Sequence, residues 1–376
     1  MFPETSVMSY FADLEDPRNG QNITHPLVNI VTIALLGVIC GADNWVDIER
    51  YGKAQQEWLS GFLNLEKGIP SHDTIGRFFR WLDEEAFQGA FIKWTTHLCQ
   101  QTTGQLVAVD GKTLRRSQER QKGRAGIWMV SAWASENRLV LGQKKVADKS
   151  NEITVIPELL AQLDITGCVV TLDALNTQTA IAQQIIEGQA DYILAVKKNQ
   201  KTLYEDLVLL FEGFEQVQYQ DVVYASTHRE NAGHDRQEYR QIWIVSEPEH
   251  RQYLRQGQRW PNLKTLIKLV SVRVTPKKVE LTTRYFISSW QASAQDFLHA
   301  IREHWQIENG LHWVLDVAFR EDESRIRKGH APQNMAVLRH LALNLLKQES
   351  SINVGIAAKR KIAGWDNDYL HTVVCP

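Results

Sequence analysis

The 376-residue chain is long enough for two or three domains and a large core. Its 42 Lys and Arg against 44 Asp and Glu leave a formal charge of −2, so contact with nucleic acid must come from local basic faces rather than from the overall balance. Four scattered cysteines, Cys40, Cys99, Cys168 and Cys375, form no CxxC pair, which speaks against a disulfide framework and a thiolate zinc site and for a reducing, cytoplasmic setting. Residues Met1 to Asp16 carry Glu4, Asp13, Glu15 and Asp16 with no basic n-region, so a secretory signal is not expected. The apolar run Leu27 to Cys40 is about 14 residues, includes Asn29 and Thr32, and falls short of the ~20 that span a bilayer. It is expected to be a buried helix, with no membrane involved.

From Pro26 to about Gln101 the apolar spacing is helical, through Leu27, Ile30, Val31, Ala34, Leu35, Val38, Trp45, Ile48, Trp58, Leu59 and Phe62. Gly68-Ile69-Pro70 breaks it, and Ser71 is a candidate N-cap for a helix over His72 to Leu82. That helix has Ile75, Phe78, Phe79 and Leu82 on one stripe with Arg77 and Arg80 among them. A short basic helix after a tight turn fits a helix-turn-helix reader of the major groove; an ordinary amphipathic helix fits equally well.

Strand periodicity begins at Gly104, with runs Leu106 to Val109, Ile127 to Trp133 and Leu139 to Gln143, the last two separated by Glu136-Asn137. Asn151 to Leu163 reads as helix, Cys168 to Leu172 as strand, Thr177 to Glu187 as helix and Tyr192 to Val196 as strand. The order βββαβαβ predicts an α/β fold with an RNase H-like catalytic core, in which Asp110 closes the first strand and Asp173 the fourth. After a helix over Thr202 to Phe211 come β-rich runs at Val222 to Tyr224, Gln241 to Val245, Leu266 to Val272 and Thr283 to Ile287. Ala294 to Val317 resumes as one helix holding Glu308, and Ala331 to Lys347 is a last helix. The expected divisions are an all-helical N-terminal DNA-binding domain over 1–103, the first part of the core over 104–211, a β-rich insertion over 212–292, the core's C-terminal helices over 293–347, and a basic tail over 348–376 with Lys359, Arg360 and Lys361.

Two strand-end aspartates and one helical glutamate can hold two Mg²⁺ ions, with Mn²⁺ as substitute, because hard cations need only a few carboxylates plus substrate phosphate and water. Asp110 would bridge the ions, with Asp173 and Glu308 each completing one side. Each acid also has a plain structural reading: Asp110-Gly111 is a turn signal, Asp173 can cap the next helix, and Glu308 can face solvent. His304, Glu308 and His312 recur every four residues and share one helical face near Arg302. The HExxH spacing is missing and His304 and His312 are two turns apart, so hydrogen bonding by Arg302, His304, Asn309 or His312 around the site is expected instead of zinc. Lys112, Arg115, Arg116, Lys197, Lys198, Arg325, Arg327 and Lys328 flank the acids in sequence and are candidate phosphate contacts, as are Arg77 and Arg80. In the β-rich stretch Arg236 and His234 are candidates for flanking DNA, while core packing is expected of Trp243.

Long strings of the chain resemble transposases of the ISAs1 family, a group that includes the H-repeat proteins of enteric bacteria. They are His25-Pro26-Leu27, Cys40-Gly41-Ala42-Asp43, Gly68 to Thr74, Val109-Asp110-Gly111-Lys112-Thr113-Leu114-Arg115, Met129 to Trp133, Lys149-Ser150-Asn151-Glu152-Ile153-Thr154, Glu303 to Asn309, Leu311 to Val317 and Gly364-Trp365-Asp366. The resemblance implies a DDE transposase with Asp110, Asp173 and Glu308 as metal-binding triad, acting on double-stranded DNA at element ends and target, as a homodimer on DNA and at the bacterial nucleoid. IS4-like relatives carry Tyr, Arg and Lys around the glutamate; here Ile301, His304 and Leu315 stand there, and Arg302, His304 and Lys328 are substitutes by analogy. The family's usual glycines are replaced by Asn176, Lys198 and Asp235. A nuclease without strand transfer and a domesticated or impaired DNA-binding protein are the alternative readings.

Overall fold

The computed structural model describes residues 7–18, 23–99, 104–114, 127–146, 151–233 and 236–375. The first helices are α1 (Leu27–Ile39), α2 (Trp45–Ala54), α3 (Gln56–Ser60), α4 (His72–Trp81) and α5 (Glu84–Leu98). α1 is buried from Asn29 to Ile39, as its apolar length requires of a helix too short to span a membrane. Ser71 caps α4 by accepting from the Thr74 amide, and Ile75, Phe78 and Phe79 face inward while Arg77 and Arg80 stay exposed. No helix among the described residues is long and apolar enough to cross a membrane.

The strands are β1 (Leu106–Leu114), β2 (Ile127–Ala134), β3 (Leu139–Val146), β4 (Val169–Leu172), β5 (Asp191–Val196), β6 (Tyr224–Gly233), β7 (Arg236–Val245), β8 (Thr265–Thr275) and β9 (Lys278–Ser288). They form one mixed sheet in the order β3-β2-β1-β4-β5-β9-β8-β7-β6. β1 is antiparallel to β2 and parallel to β4, and β4 is parallel to β5. The β-rich stretch does not fold as a sheet of its own: β9 pairs antiparallel with β5, Ile193 opposite Ser288, and carries the core sheet onward. Helices α6 (Glu152–Leu160), α7 (Thr179–Glu187) and α8 (Lys201–Gln216) share a core with the sheet residues Val109, Val170 and Leu194, and α9 (Pro248–Arg251) is a short turn between β7 and β8. Trp243 packs against the edge of that core, as expected.

Three expectations need correction. β1 does not stop at Asp110; its pairing with β2 continues through Gly111 opposite Val130 to Leu114 opposite Ile127, so Asp110-Gly111 is strand and no turn forms. The segment 294–317 is not one α-helix. It breaks into α10 (Ala294–Glu303), a π-helical turn Ile307–His312 and α11 (Trp313–Phe319). Nor are residues 348–376 a basic tail. After α12 (Ala331–Gln348), α13 (Ile356–Trp365) and α14 (Asn367–Val374) fold back onto the helical core. Lys359 donates to the Leu346 carbonyl at 3.0 Å and Arg360 to the Val38 carbonyl at 2.8 Å. Both cations therefore satisfy carbonyls at the ends of α12 and α1, which have no partner within their own helices.

α12 is buried from Ala331 to Leu346 and lies against α1, so the N-terminal helices and the last helices share a single core with Trp133 and Ala108 of the sheet. The Asn334 side chain reinforces this by donating to the carbonyls of Phe79 and Leu82 at 2.8 and 3.0 Å, which anchors the end of α4 to α12.

Candidate active site

The parallel register sets Val109 opposite Leu172, so the next residues, Asp110 within β1 and Asp173 just past the end of β4, lie on adjacent stretches of chain, a strand spacing of roughly 4.8 Å. The π-helical turn crosses this point and brings Glu308 and His312 to Asp110. One donor atom from each of Asp110, Glu308 and His312 lies within 4.8 Å of the other two. His312 Nδ1 stands 3.7 Å from Asp110 Oδ2 and 3.9 Å from Glu308 Oε2. Asp173 is turned by its own backbone, its Oδ1 accepting from the Asn176 amide at 3.0 Å. A cavity of about 190 Å³ opens beside the three acids, and Lys197, Thr171 and His304 also line it.

Burial pushes the Asp110 carboxyl up to about 7, and the neighbouring charges of Glu308, Asp173 and Glu152 push the same way, against an opposing hydrogen bond from the Gly111 backbone. Glu152 is a fourth acid that the sequence reading quoted only inside a motif. Only 6% exposed, it accepts from Asn176 Nδ2 at 2.8 Å and packs on Gly111 so closely that a Cβ there would lie 2.0 Å from its Oε1. Asn176 thus links Glu152 to Asp173, and the contact with Gly111 sets it beside the residue after Asp110. Its signal in the sequence was the Gly after Asp110 together with an acid at a helix start, neither of which indicates the contact without the fold.

A cluster of mutually repelling carboxylates around a partly buried aspartate fits divalent cations, because oxygen donors suit hard ions and the cation offsets the repulsion. The Transposase DDE domain family matches residues 101–345, and its associated N-terminal family, DDE_Tnp_1-associated, matches residues 8–95. The chain belongs to the DDE transposases. "Putative transposase YncI" of Escherichia coli O157:H7 is 39% identical over 98% of this chain and 94% of that protein. "H repeat-associated putative transposase YhhI" of Escherichia coli strain K12 is 36% identical over 98% and 97%. "Putative protein YbfL" of the same strain is also 36% identical over the same shares. The chain is a DDE transposase of this H-repeat group.

Of the residues expected to support the three acids, His304 does not share their face with His312. The break before the π-turn leaves it on the Asp173 side, where its Nδ1 meets Thr171 Oγ1 at 2.9 Å. Burial lowers both imidazoles to about 4, so they are neutral at pH 7. Arg302 points away from the acids toward β6 and β7, among Arg240, Arg229 and Glu238, because it closes α10 on the hairpin side. Asn309 is exposed and donates to the Trp305 carbonyl at 3.3 Å.

Among the expected phosphate contacts, Lys112 is engaged inside the fold. It pairs with Asp316 and, at 3.0 Å, with Glu321, which is itself buried beside Arg339 at 3.6 Å. A lysine held by two acids is not available to a phosphate. Arg236 is exposed and pairs with Glu238 at 2.9 Å, Lys197 and Lys198 are exposed with Lys197 lining the small cavity, and Arg115, Arg116 and His234 lie outside the described residues. Arg77 and Arg80 of α4 line a cleft of about 770 Å³ whose opposite wall carries Arg320, Arg325, Arg327 and Lys328. Residues from the two ends of the chain meet there because α4 and the segment before α12 are anchored together, His330 donating its amide to the Arg80 carbonyl at 3.2 Å.

Proposed function

We propose that the chain cleaves DNA at the ends of an insertion element and joins the freed 3′-hydroxyl to target DNA, with two Mg²⁺ ions held by Asp110, Asp173 and Glu308. When bound, such ions stabilise the attacking and leaving oxygens of an in-line phosphodiester displacement. Asp110, central between the other two acids, would touch both ions. Asp173 and Glu308 would each hold one. Glu152 and Asn176 fix the spacing of Asp110 and Asp173 from behind, and His304 with Thr171 walls the Asp173 side, so the carboxylates need little reorganisation on binding. In the first step the attacking oxygen of water bonds to phosphorus as the 3′-oxygen leaves with a proton. In the second the oxygen of that 3′-hydroxyl bonds to a target phosphorus and gives up its proton, while the target's own 3′-oxygen leaves and takes a proton up. The observation that carries this reading is the β1–β4 register, which sets Val109 opposite Leu172 and so puts Asp110 and Asp173 one residue beyond the same pair.

The core, on this reading, is RNase H-like, with the β-rich stretch added to its sheet edge. The basic cleft between α4 and residues 320–328 is the duplex-binding surface, since exposed Arg77, Arg80, Arg325 and Lys328 supply phosphate contacts without a helix standing free as a reading head. A homodimer would hold two element ends at once. The test incubates purified protein with labelled element ends, target plasmid and Mg²⁺. Nicks and joined products are expected; nicks alone would assign a nuclease, and binding without either an impaired DNA-binding protein.

A further inference from the structure

We propose that His312 is a nitrogen ligand of the ion shared by Asp110 and Glu308, which biases that position toward a first-row transition ion such as Mn²⁺ over Mg²⁺. This rests on the cation-binding reading of the acids and adds a donor to it. His312 is 5% exposed, and its ring makes no hydrogen bond among the described residues. Nε2 is buried without a partner, while Nδ1 is aimed between two carboxylates. Nδ1 is the nitrogen offered to the ion, so the ring proton stays on Nε2. The carboxylate oxygens do not hydrogen-bond Nδ1 directly: at 3.7 and 3.9 Å they are beyond reach.

Those same separations suit donors around a common ion. Two atoms each roughly 2.1 Å from one ion are roughly 3.0 Å apart at a right angle and 4.2 Å apart on opposite sides. Both distances from Nδ1 fall between these limits. The backbone explains how the residues come together: the Trp313 amide reaches back to the Glu308 carbonyl, five residues earlier, so the widened turn presents residues 308 and 312 to the same strand. Imidazole is a better donor to ions later in the first transition row than to Mg²⁺, which prefers oxygen and keeps its water. Asp173 is not among the atoms of this donor group, so the nitrogen would serve the position shared by Asp110 and Glu308.

The experiment uses the full chain without DNA. Mn²⁺ binding is titrated by loss of the free-ion electron paramagnetic resonance signal, and pulsed measurements on the bound ion read ¹⁴N coupling. We expect ¹⁴N coupling in the wild type, its loss in His312→Ala and His312→Gln, and an Mn²⁺ affinity lowered about tenfold or more in both. Mg²⁺ affinity, read by competition, should fall less. An uncoupled wild-type spectrum with Mn²⁺ bound overturns the proposal whether or not the variants fold. Coupling that persists in folded His312→Gln overturns it too. Asp110→Asn separates the two levels of inference: Mn²⁺ affinity unchanged in that variant brings down the acid site itself. Affinity lost in Asp110→Asn but unchanged in His312→Ala and His312→Gln brings down only the nitrogen ligand.

Discussion

Replacing Asp110 with asparagine should stabilise the metal-free protein above neutral pH and abolish its stabilisation by metal. Burial, and then three nearby acids, push the carboxyl up to about 7 in the fold, from about 4 for a free aspartate. A folded-state value above the unfolded one means that the protonated acid favours the fold below about pH 4. That contribution is lost as pH rises toward 7, and most of the loss accrues between these limits. That upward displacement costs the folded, charged form roughly 4 kcal/mol at pH 8. Asparagine carries no charge and removes this cost. Urea unfolding at pH 5 and pH 8, without metal, should therefore show Asp110→Asn gaining on the wild type as pH rises. Millimolar Mg²⁺ or Mn²⁺ should then raise the wild-type midpoint and leave the variant's unchanged. A variant no more stable than wild type at pH 8, or one that metal stabilises equally, would refute the reasoning.

Asp173→Ala and Glu308→Gln should eliminate Mg²⁺-dependent nicking in a gel assay while DNA affinity, read by fluorescence anisotropy, stays within about twofold; undiminished nicking by either variant would remove it from the site. Neutralising Arg77, Arg80, Arg325 and Lys328 together should flatten the dependence of log affinity on log salt by roughly 3 to 4, at about 0.9 per phosphate contact. An unaltered slope would assign the duplex to another face. Gly111→Ala forces a Cβ to within 2.0 Å of Glu152 Oε1 and 2.5 Å of Trp128 Nε1. It should cost about 1–3 kcal/mol in urea unfolding. Adding Glu152→Ala should recover part of that loss, and strictly additive costs would show that the two residues do not meet.

The aspartates were legible because both follow short apolar runs of buried parallel strands, Leu106 to Val109 and Val169 to Leu172, and a run of that kind has few alternatives to the sheet interior. The capped α4 and the buried α1 were legible for similar local reasons. What the chain did not disclose are the consequences of long-range pairing. Nothing in residues 348–376 signals that Lys359 and Arg360 close helices more than ten and three hundred residues away, so their charge reads as a tail. Lys112 reads as a phosphate ligand until Asp316 and Glu321 fold onto it. The continuation of β1 past Asp110 depends on β2 being long enough to pair with it, which the Asp-Gly turn signal hides.

The break before the π-turn matters most for function, and side-chain periodicity could not expose it. A regular helix would set His304, Glu308 and His312 on one stripe, yet a stripe about 12 Å long cannot bring three side chains to a single ion. The described fold divides the stripe instead. His304 remains with Thr171 beside Asp173, and the wider turn hands Glu308 and His312 to Asp110. The irregular turn is supported by its surroundings: Lys347 donates to the Gly310 carbonyl at 2.8 Å, and a Cβ on Gly310 would lie 3.2 Å from the Trp133 ring. The close approach of glycine to tryptophan lets the turn lie against β2. A regular α-helix over the same residues would keep the acid but lose its alignment with the strand aspartates, so the backbone irregularity is itself part of the site.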